Sequence, residues 1–504
     1  MAEYIFGANI LENLTTGMYK NSQVIFREYI QNACDAIDAA ISQNILAAGE
    51  GRIDIWIEPS ENKISIEDNG TGISEKNFET TLKSVAQSEK QIDIEKGFRG
   101  IGRLCGLAYC GELIFSTTAA GENVISIMRI DAQKLRSKFY GKVKYTAQEV
   151  LDEVITFEKD FCDKSEHWFK VELLDINAEN EILLNESLIK EYLSFVAPVE
   201  YQNYFSYNTK IYEHAAALNF KIDEYQIFVN GEQIVKDYRT HFKTRMGEDD
   251  IFDVAFKDFY DDAGNLIAWL WMGISRFKGV LSEKTDTPSH KMRGIRLRKG
   301  NIQIGKSDAL RNLFSERRGT NYFIGEVFAV DKNLIPNAQR DYFIENPELK
   351  NFEKALKIYF EELHNLYYQA SHWNSNVRAV KSYNELKNQT FNTPKQKEEA
   401  ELKLVTLKEK AEKAEQEIEK FQKENLPDSP IILSRIIFKI INKAEKISVG
   451  SNTTDNNTPE NPFPNLNRSE RKLVSKILDA IRENVDGKTF KNLQEKIIKA
   501  VNAK

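Results

Sequence analysis

Glu28, Asn32 and Asp35 stand at i, i+4 and i+7 in REYIQNACDAIDAA, residues 27–40, and share one face if that stretch is helical. Ile25, Tyr29, Ala33, Ala36 and Ala40 form an apolar stripe on the adjoining face. A carboxylate, an amide and a second carboxylate therefore line the edge of a surface that must pack on something dry. In such a place a carboxylate can orient and deprotonate a water. An amide oxygen can serve a hard cation.

Two further stretches carry chemistry. In ISIEDNGTGI, residues 64–73, strand parity puts Asp68 on the side of Ile64 and Ile66, so its carboxylate faces the buried side. A buried ionised acid is costly unless it meets donors. Gly70 and Gly72 behind it permit a sharp turn and close backbone approach. Two readings stand: an acid on a pocket floor, accepting from a ligand amine and a water, or an ordinary DNG turn. KGFRGIGRLCGL, residues 96–107, carries Gly97, Gly100 and Gly102 ahead of helix-like LCGLAYC. Backbone N–H groups exposed at a helix N-terminus make an anion site, and Arg99 and Arg103 add fixed positive charge. A flexible turn is the alternative. The segment is not a Walker A loop, which needs Gly-Lys-Ser/Thr, and it follows no first strand as a dinucleotide fingerprint does.

The elements that must position these residues are legible in outline. Residues 8–43 read as two helices, with Asn21 or Ser22 as cap of the second. RIDIWIE and KISIEDNGTGI alternate as strands, and ELIFSTTAAGENVISIMRID and WFKVELLDIN add more. Helices followed by a run of strands argue for an α+β sandwich rather than a doubly wound sheet. The first domain is expected over residues 1–205. A second mixed α/β domain follows over 206–346, with strand-like DEYQIFVNGEQIV, LIAWLWMGISRF, GIRLRKGNIQIG and YFIGEVFAVD. Residues 347–447 turn to helix formers. There Ala400, Leu404, Leu407, Ala411, Ala414, Ile418 and Phe421 alternate at spacings of four and three, a seam for a coiled-coil arm or helical hairpin. Residues 448–467 are rich in Ser, Thr, Asn and Pro and read as a linker, and 468–504 as a small basic helical tail.

Composition sets the limits. A chain of 504 residues, 41% apolar and 29% charged, suggests about three domains with sizeable cores. Its net charge of -7 argues against a protein that binds polyanions over its whole surface. Cys34, Cys105, Cys110 and Cys162 lack zinc spacing and read as reduced thiols. The six histidines are scattered and form no metal pattern. The N-terminus has no basic segment leading into an apolar core, and no window approaches the ~20 apolar residues of a membrane span. A soluble, cytoplasmic protein without membrane contact is the expectation.

The order and content of the three stretches resemble the GHKL ATPase superfamily: gyrase, the ninety-kilodalton heat-shock chaperones, histidine kinases, MutL and MORC proteins. REYIQNACDAI matches the N-box pattern E-x-x-x-N-x-x-D, DNGTGI the first glycine box and GFRGIGRLCGL the second. The resemblance covers roughly residues 5–180. It is nearest to the chaperones, through NILENLTTGMYKNSQVIFREYIQNACDAI and the lid-side LKSVAQSEK. It implies a Bergerat-type α/β sandwich, followed by a transducer-like domain.

The ligands so implied are ATP and Mg2+, with hydrolysis to ADP and phosphate. Asn32 would serve the magnesium ion, Glu28 the attacking water, and Asp35 the adenine and ribose end. Asp68 would take the adenine amino group, with Gly70 and Gly72 at the base pocket. Ser88, Gly97, Arg99, Gly100, Ile101, Gly102 and Arg103 would follow the phosphates, in a lid from about Ser84 to Arg103. HWFKVELLDI carries Trp168 and Phe169 where many relatives have Gly-Thr, leaving Thr117 or Thr118 as substitutes for the missing hydroxyl.

GEVFAVDKNLIPNAQRDYF resembles a chaperone middle-domain segment ending in N-x-x-R, which makes Arg340 the candidate γ-phosphate contact and Gln339 a weaker one. Arg293, Arg296, Arg298 and Lys299 read either as a solvated strand face or as a nucleic-acid patch. The resemblance implies a nucleotide-driven switch, a homodimer and a protein client or partner. A MORC-like DNA clamp in bacterial defence and a nucleotide-sensing scaffold with little turnover are the alternatives. No histidine precedes the N-box, which excludes a histidine kinase.

Overall fold

The computed structural model describes residues 7–8, 11–12, 21–84, 102–139, 145–244, 246–279, 291–390, 393–424, 432–448, 493 and 496–497. The chain forms two compact units, Met1–Asn374 with Pro430–Ile437, and Ser375–Ser429 with Phe438–Lys504.

In the first unit, helix α1 (Val24–Ser42) buries Ile25, Tyr29, Ala33 and Ala40 on the stripe that the sequence spacing marks out. Neither Asn21 nor Ser22 is the N-cap residue, although the Asn21 side chain accepts from the Gln23 N–H at 3.2 Å. Gln23 is the N-cap, without a side-chain bond, and the N–H groups of Val24, Ile25 and Phe26 bond the carbonyls three residues before them. A tight leading turn thus satisfies donors that a cap would otherwise take. Most of the helix expected before it lies outside the described residues.

Below α1 lies an eight-stranded sheet. Its strands are β1 (Arg52–Glu58), β2 (Lys63–Asp68), β3 (Glu112–Thr118), β4 (Val124–Asp131), β5 (Ile155–Phe161), β6 (Trp168–Leu174), β7 (Gln226–Val229) and β8 (Glu232–Gln233). They lie in the order β5-β4-β3-β6-β2-β1-β7-β8, antiparallel except where β1 meets β7. Ile53, Ile55 and Ile57 pair with Asp68, Ile66 and Ile64, so one face of β1 and β2 is apolar and meets the helix. Helices α2 (Glu75–Lys83), α3 (Ala132–Phe139), α4 (Ala147–Val154), α5 (Glu186–Val196) and α6 (Asn208–Ala217) complete this part of the chain. It is the α+β sandwich expected. DEYQIFVNGEQIV lies past the expected boundary at 205, yet it supplies β7 and β8 to this first sheet.

A hairpin of β9 (His241–Thr244) and β10 (Gly247–Asp250) leads to a five-stranded sheet. That sheet comprises β11 (Asp253–Tyr260), β12 (Leu266–Ile274), β13 (Gly294–Lys299), β14 (Ile302–Ile304) and β15 (Ile324–Ala329), in the order β11-β12-β15-β13-β14. β12 is apolar throughout, LIAWLWMGI, and is buried on both faces.

Next to Trp271 lies a fully buried polar cluster around Glu326 of β15. Its carboxylate accepts from Lys236 Nζ at 3.1 Å, Tyr238 at 3.1 Å and Trp271 Nε1 at 3.2 Å, and also from Tyr201 and Arg298. Burial alone would raise this carboxyl, but Arg298 and Lys236 outweigh it and hold the group down at about 2. Arg298 also donates to the carbonyls of Phe195 and Asn301, at 2.8 Å each.

This cluster corrects the reading of HKMRGIRLRKGNIQIG. Arg298 and Arg296 are buried, and Lys299 donates to the Val330 and Asp331 carbonyls. The strand is neither a solvated face nor a basic patch: Glu326 on the parallel neighbour takes the charge of Arg298, and Arg296 donates to Gln303 at 2.6 Å.

Helix α7 (Pro347–Lys387) runs from the first unit into the second, which also holds α8 (Pro394–Glu424); α9 (Ile432–Ser448) likewise has residues in both. On α8, Ala400, Ala411 and Ala414 are buried and Leu404, Leu407, Ile418 and Phe421 half-buried, whereas Leu402 and Val405 are exposed. The side chain of Asn376 donates to Glu417 at 2.7 Å. Among the described residues, no helix is long and apolar enough to cross a membrane.

Candidate functional site

Helix α1 touches both glycine-bearing turns. At its C-terminal half, the Thr71 N–H donates to the Ala36 carbonyl at 3.2 Å, and a Cβ on Gly70 would lie 2.6 Å from Ala36. At its N-terminal half, a Cβ on Gly102 would lie 2.6 Å from Glu28 Oε2. Glu28 and Ala36 are eight residues apart, about 12 Å along a helix axis. Asn32 lies midway and is half-buried, and Asp35 is buried one turn further on.

Glu28 is 5% exposed, and Arg340 Nε lies 3.1 Å from its carboxylate. Arg340, itself buried, adopts a φ of 52°, the left-handed region that a non-glycine residue enters only when its surroundings hold it there. Those surroundings are specific. The Arg340 carbonyl accepts from the Gly305 N–H at 2.8 Å and from Arg27 at 3.3 Å. A second nitrogen of Arg27 donates to the Gln339 carbonyl at 3.1 Å and lies 3.5 Å from Glu28. Gln339 thus meets the site through its backbone, and its side chain is exposed. Arg27 and Glu28, neighbours on one helix, hold backbone and side chain of the same distant residue. Sequence reasoning passed over Arg27, whose signal was a second charge beside a candidate acid.

The glycine-rich segment is not an α-helix where it can be described. Gly102–Ala108 is a 3-10 turn. Burial lowers the Arg103 guanidinium from its ordinary value. One of its nitrogens donates to the Ser84 carbonyl, while Nε is buried without a hydrogen bond. Among the described residues no carboxylate pairs with it, so this desolvated cation fits an anion. Ser88, Gly97, Arg99, Gly100 and Ile101 lie outside the described residues.

Asp68 is buried at the end of β2, on the side that parity assigns, and its Oδ1 accepts from the Gly70 N–H at 2.9 Å. The loop that follows is bracketed by β3 and β6. His167 Nδ1 lies 2.8 Å from the Gly70 carbonyl. Thr117 Oγ1 donates to the Trp168 carbonyl at 2.7 Å and accepts from the Ile73 N–H at 3.0 Å. Thr117 therefore positions the loop. Thr118 is fully buried, and its hydroxyl takes a bond from Cys162. Phe169 pairs in register with both Asp68 and Thr117, which places a phenyl ring on the strand between them.

Gly72 has a φ of 62°, and a Cβ there would lie 1.9 Å from the Thr118 carbonyl. Gly72→Ala should cost more than the ~1–2 kcal/mol of a left-handed residue alone. The lost stability should appear as a lower urea midpoint at unchanged slope.

Comparison with known proteins fits this geometry. A family model described as histidine kinase-, DNA gyrase B-, and HSP90-like ATPase matches residues 19–161. The chaperone protein HtpG of Wigglesworthia glossinidia brevipalpis is 27% identical over 182 residues, covering 31% of this chain and 28% of that protein. The chaperone protein HtpG of Buchnera aphidicola is 27% identical over 219 residues, covering 39% and 32%. That of Chlorobium phaeobacteroides is 34% identical over 97 residues, covering 18% and 16%. The chain spans about a third or less of the length of these relatives. Residues 19–161 belong to a domain of the GHKL ATPase superfamily, near its heat-shock-chaperone-like members.

Proposed function

We propose that this chain binds ATP with Mg2+, hydrolyses it to ADP and phosphate, and uses the cycle as a conformational switch acting on a protein partner. The observation that carries the reading is the meeting of Glu28, Gly102 and Arg340, drawn from three distant stretches, around one buried point.

In this reading the base lies at the Ala36 end of α1, with Asp68 accepting from its amino group and Gly70 and Gly72 shaping the pocket. Asp35 supports that end. The terminal phosphate lies at the Glu28 end, with Gly102, Arg103 and the residues at 88, 97 and 99–101 along the phosphates. Magnesium, when bound, neutralises charge on the phosphate oxygens, and Asn32 supplies it an amide oxygen.

Glu28 orients and deprotonates the attacking water. Without nucleotide the Glu28 carboxylate is held by Arg340 and lies beside Arg27. The γ-phosphate competes for Arg340, so substrate binding itself frees the base, and the guanidinium then stabilises charge at the phosphate. Dimerisation or partner binding through the seam of α8 completes the switch. Arg296 and Arg298 are buried, so nothing on this strand favours a DNA clamp.

Calorimetry with the non-hydrolysable analogue AMP-PNP and Mg2+ tests the site. Wild type should bind with one site per chain. Asp68→Asn should weaken binding at least about tenfold, the scale of a hydrogen bond to a charged group. Equal affinity in the two proteins would remove Asp68 from the base pocket.

A further inference from the structure

Tyr29 lies on the apolar stripe of α1, where a phenylalanine would fill the same volume. The hydroxyl is the difference, and a buried phenol needs partners. It is 3% exposed. Its O–H donates to the Arg103 carbonyl at 3.0 Å, and its oxygen accepts from the Gly106 N–H at 3.1 Å. Both partners belong to the Gly102–Ala108 turn, whose first residue abuts Glu28. Burial, with Cys105 and Cys110 nearby, pushes the phenol well above its usual range, so it remains a donor. A 3-10 turn has poor internal hydrogen bonds and gains most from an outside post.

We propose that Tyr29 is a positioning residue: its hydroxyl fixes the Gly102–Ala108 turn against Glu28, keeping the backbone that meets the terminal phosphate in register with the carboxylate. The inference rests on the nucleotide reading above. Glu28 and Tyr29 are sequence neighbours that meet the same turn, one at its first residue and the other at its second and fifth.

The test is a cycle of Tyr29→Phe and Gly106→Ala, read by steady-state ATP turnover, ADP affinity and thermal melting. Tyr29→Phe should keep a cooperative melt and bind ADP within about threefold of wild type. Its kcat should fall roughly 10- to 100-fold, the scale of a displacement on the order of 1 Å near the reacting atoms. A Cβ on Gly106 would lie 2.5 Å from the Tyr29 hydroxyl oxygen, so Gly106→Ala should lower kcat similarly. The double variant should be no slower than either single, because the severe clash goes with the hydroxyl and what remains is contact with the flexible ends of Leu113 at 3.1 Å and Leu173 at 3.2 Å. Wild-type kcat in Tyr29→Phe, additive losses in the double variant, or a Tyr29→Phe chain that no longer melts cooperatively would each overturn the proposal. Failure of wild type to bind AMP-PNP would instead overturn the nucleotide reading beneath it.

Discussion

Glu28→Ala should hold ATP and fail to cleave it. General-base catalysis contributes typically ~10²- to 10⁴-fold, so turnover should fall by that factor while nucleotide remains bound. The ion pairs add a second signature. Removing the carboxylate takes away the Glu28 contact of Arg340 and Arg27, 6% and 5% exposed. The empty variant should therefore melt below wild type. The triphosphate supplies the missing negative charge and no longer faces a carboxylate, so the gain in melting temperature on adding AMP-PNP with Mg2+ should exceed that of wild type. Cleavage at the wild-type rate would remove Glu28 as the base. Tight binding with no phosphate release from wild type itself would indicate a nucleotide-sensing scaffold.

Glu326→Ala should be as damaging to stability as Glu28→Ala is to turnover. Breaking a buried ion pair by removing one partner costs about 3–5 kcal/mol, and here a single carboxylate serves both Arg298 and Lys236. Against a whole stability of about 5–15 kcal/mol, urea unfolding should shift steeply. A loss under about 1 kcal/mol would mean the cluster relaxes or admits water.

With one acid for two cations, the second proton is dispensable. Burial, with Arg298 adding to it, pushes the Lys236 ammonium down to about 7, against an ordinary value of 10.5. Between those two values the unfolded chain binds the extra proton. Stability should therefore rise with pH across that window, and Lys236→Met should flatten the rise. For Glu326 the sign is the usual one for a depressed acid. Its contribution is present above the ordinary carboxylate range and is lost as pH falls through about 2.

Much of this was written locally. The face of α1, the parity that buries Asp68 and the apolar run of β12 follow from periods of 3.6 and 2. What escaped is non-local. The Arg27 fork reaches backbone 312 and 313 residues away, and no local pattern encodes that reach. Tyr29 was legible as part of a stripe, but its hydroxyl was silent until the turn above it was known. Arg296 and Arg298 looked like surface charge because their strand alternates. The acid that draws Arg298 inward is hidden in IGEVFA, an otherwise apolar strand. Periodicity also marks DEYQIFVNGEQIV as a strand without saying which sheet it joins.

That last pairing decides where the polypeptide can be divided. A shorter chain ending at residue 205 would lose β7, leaving the hydrogen-bonding groups of Arg52–Ile55 bare along one edge, an invitation to aggregate. Extending it through residue 236 restores the edge but strands Lys236 and Tyr201 without Glu326, which lies some ninety positions further on. No cut between the sheets spares both, so these two parts should be expressed, purified and grafted as one piece.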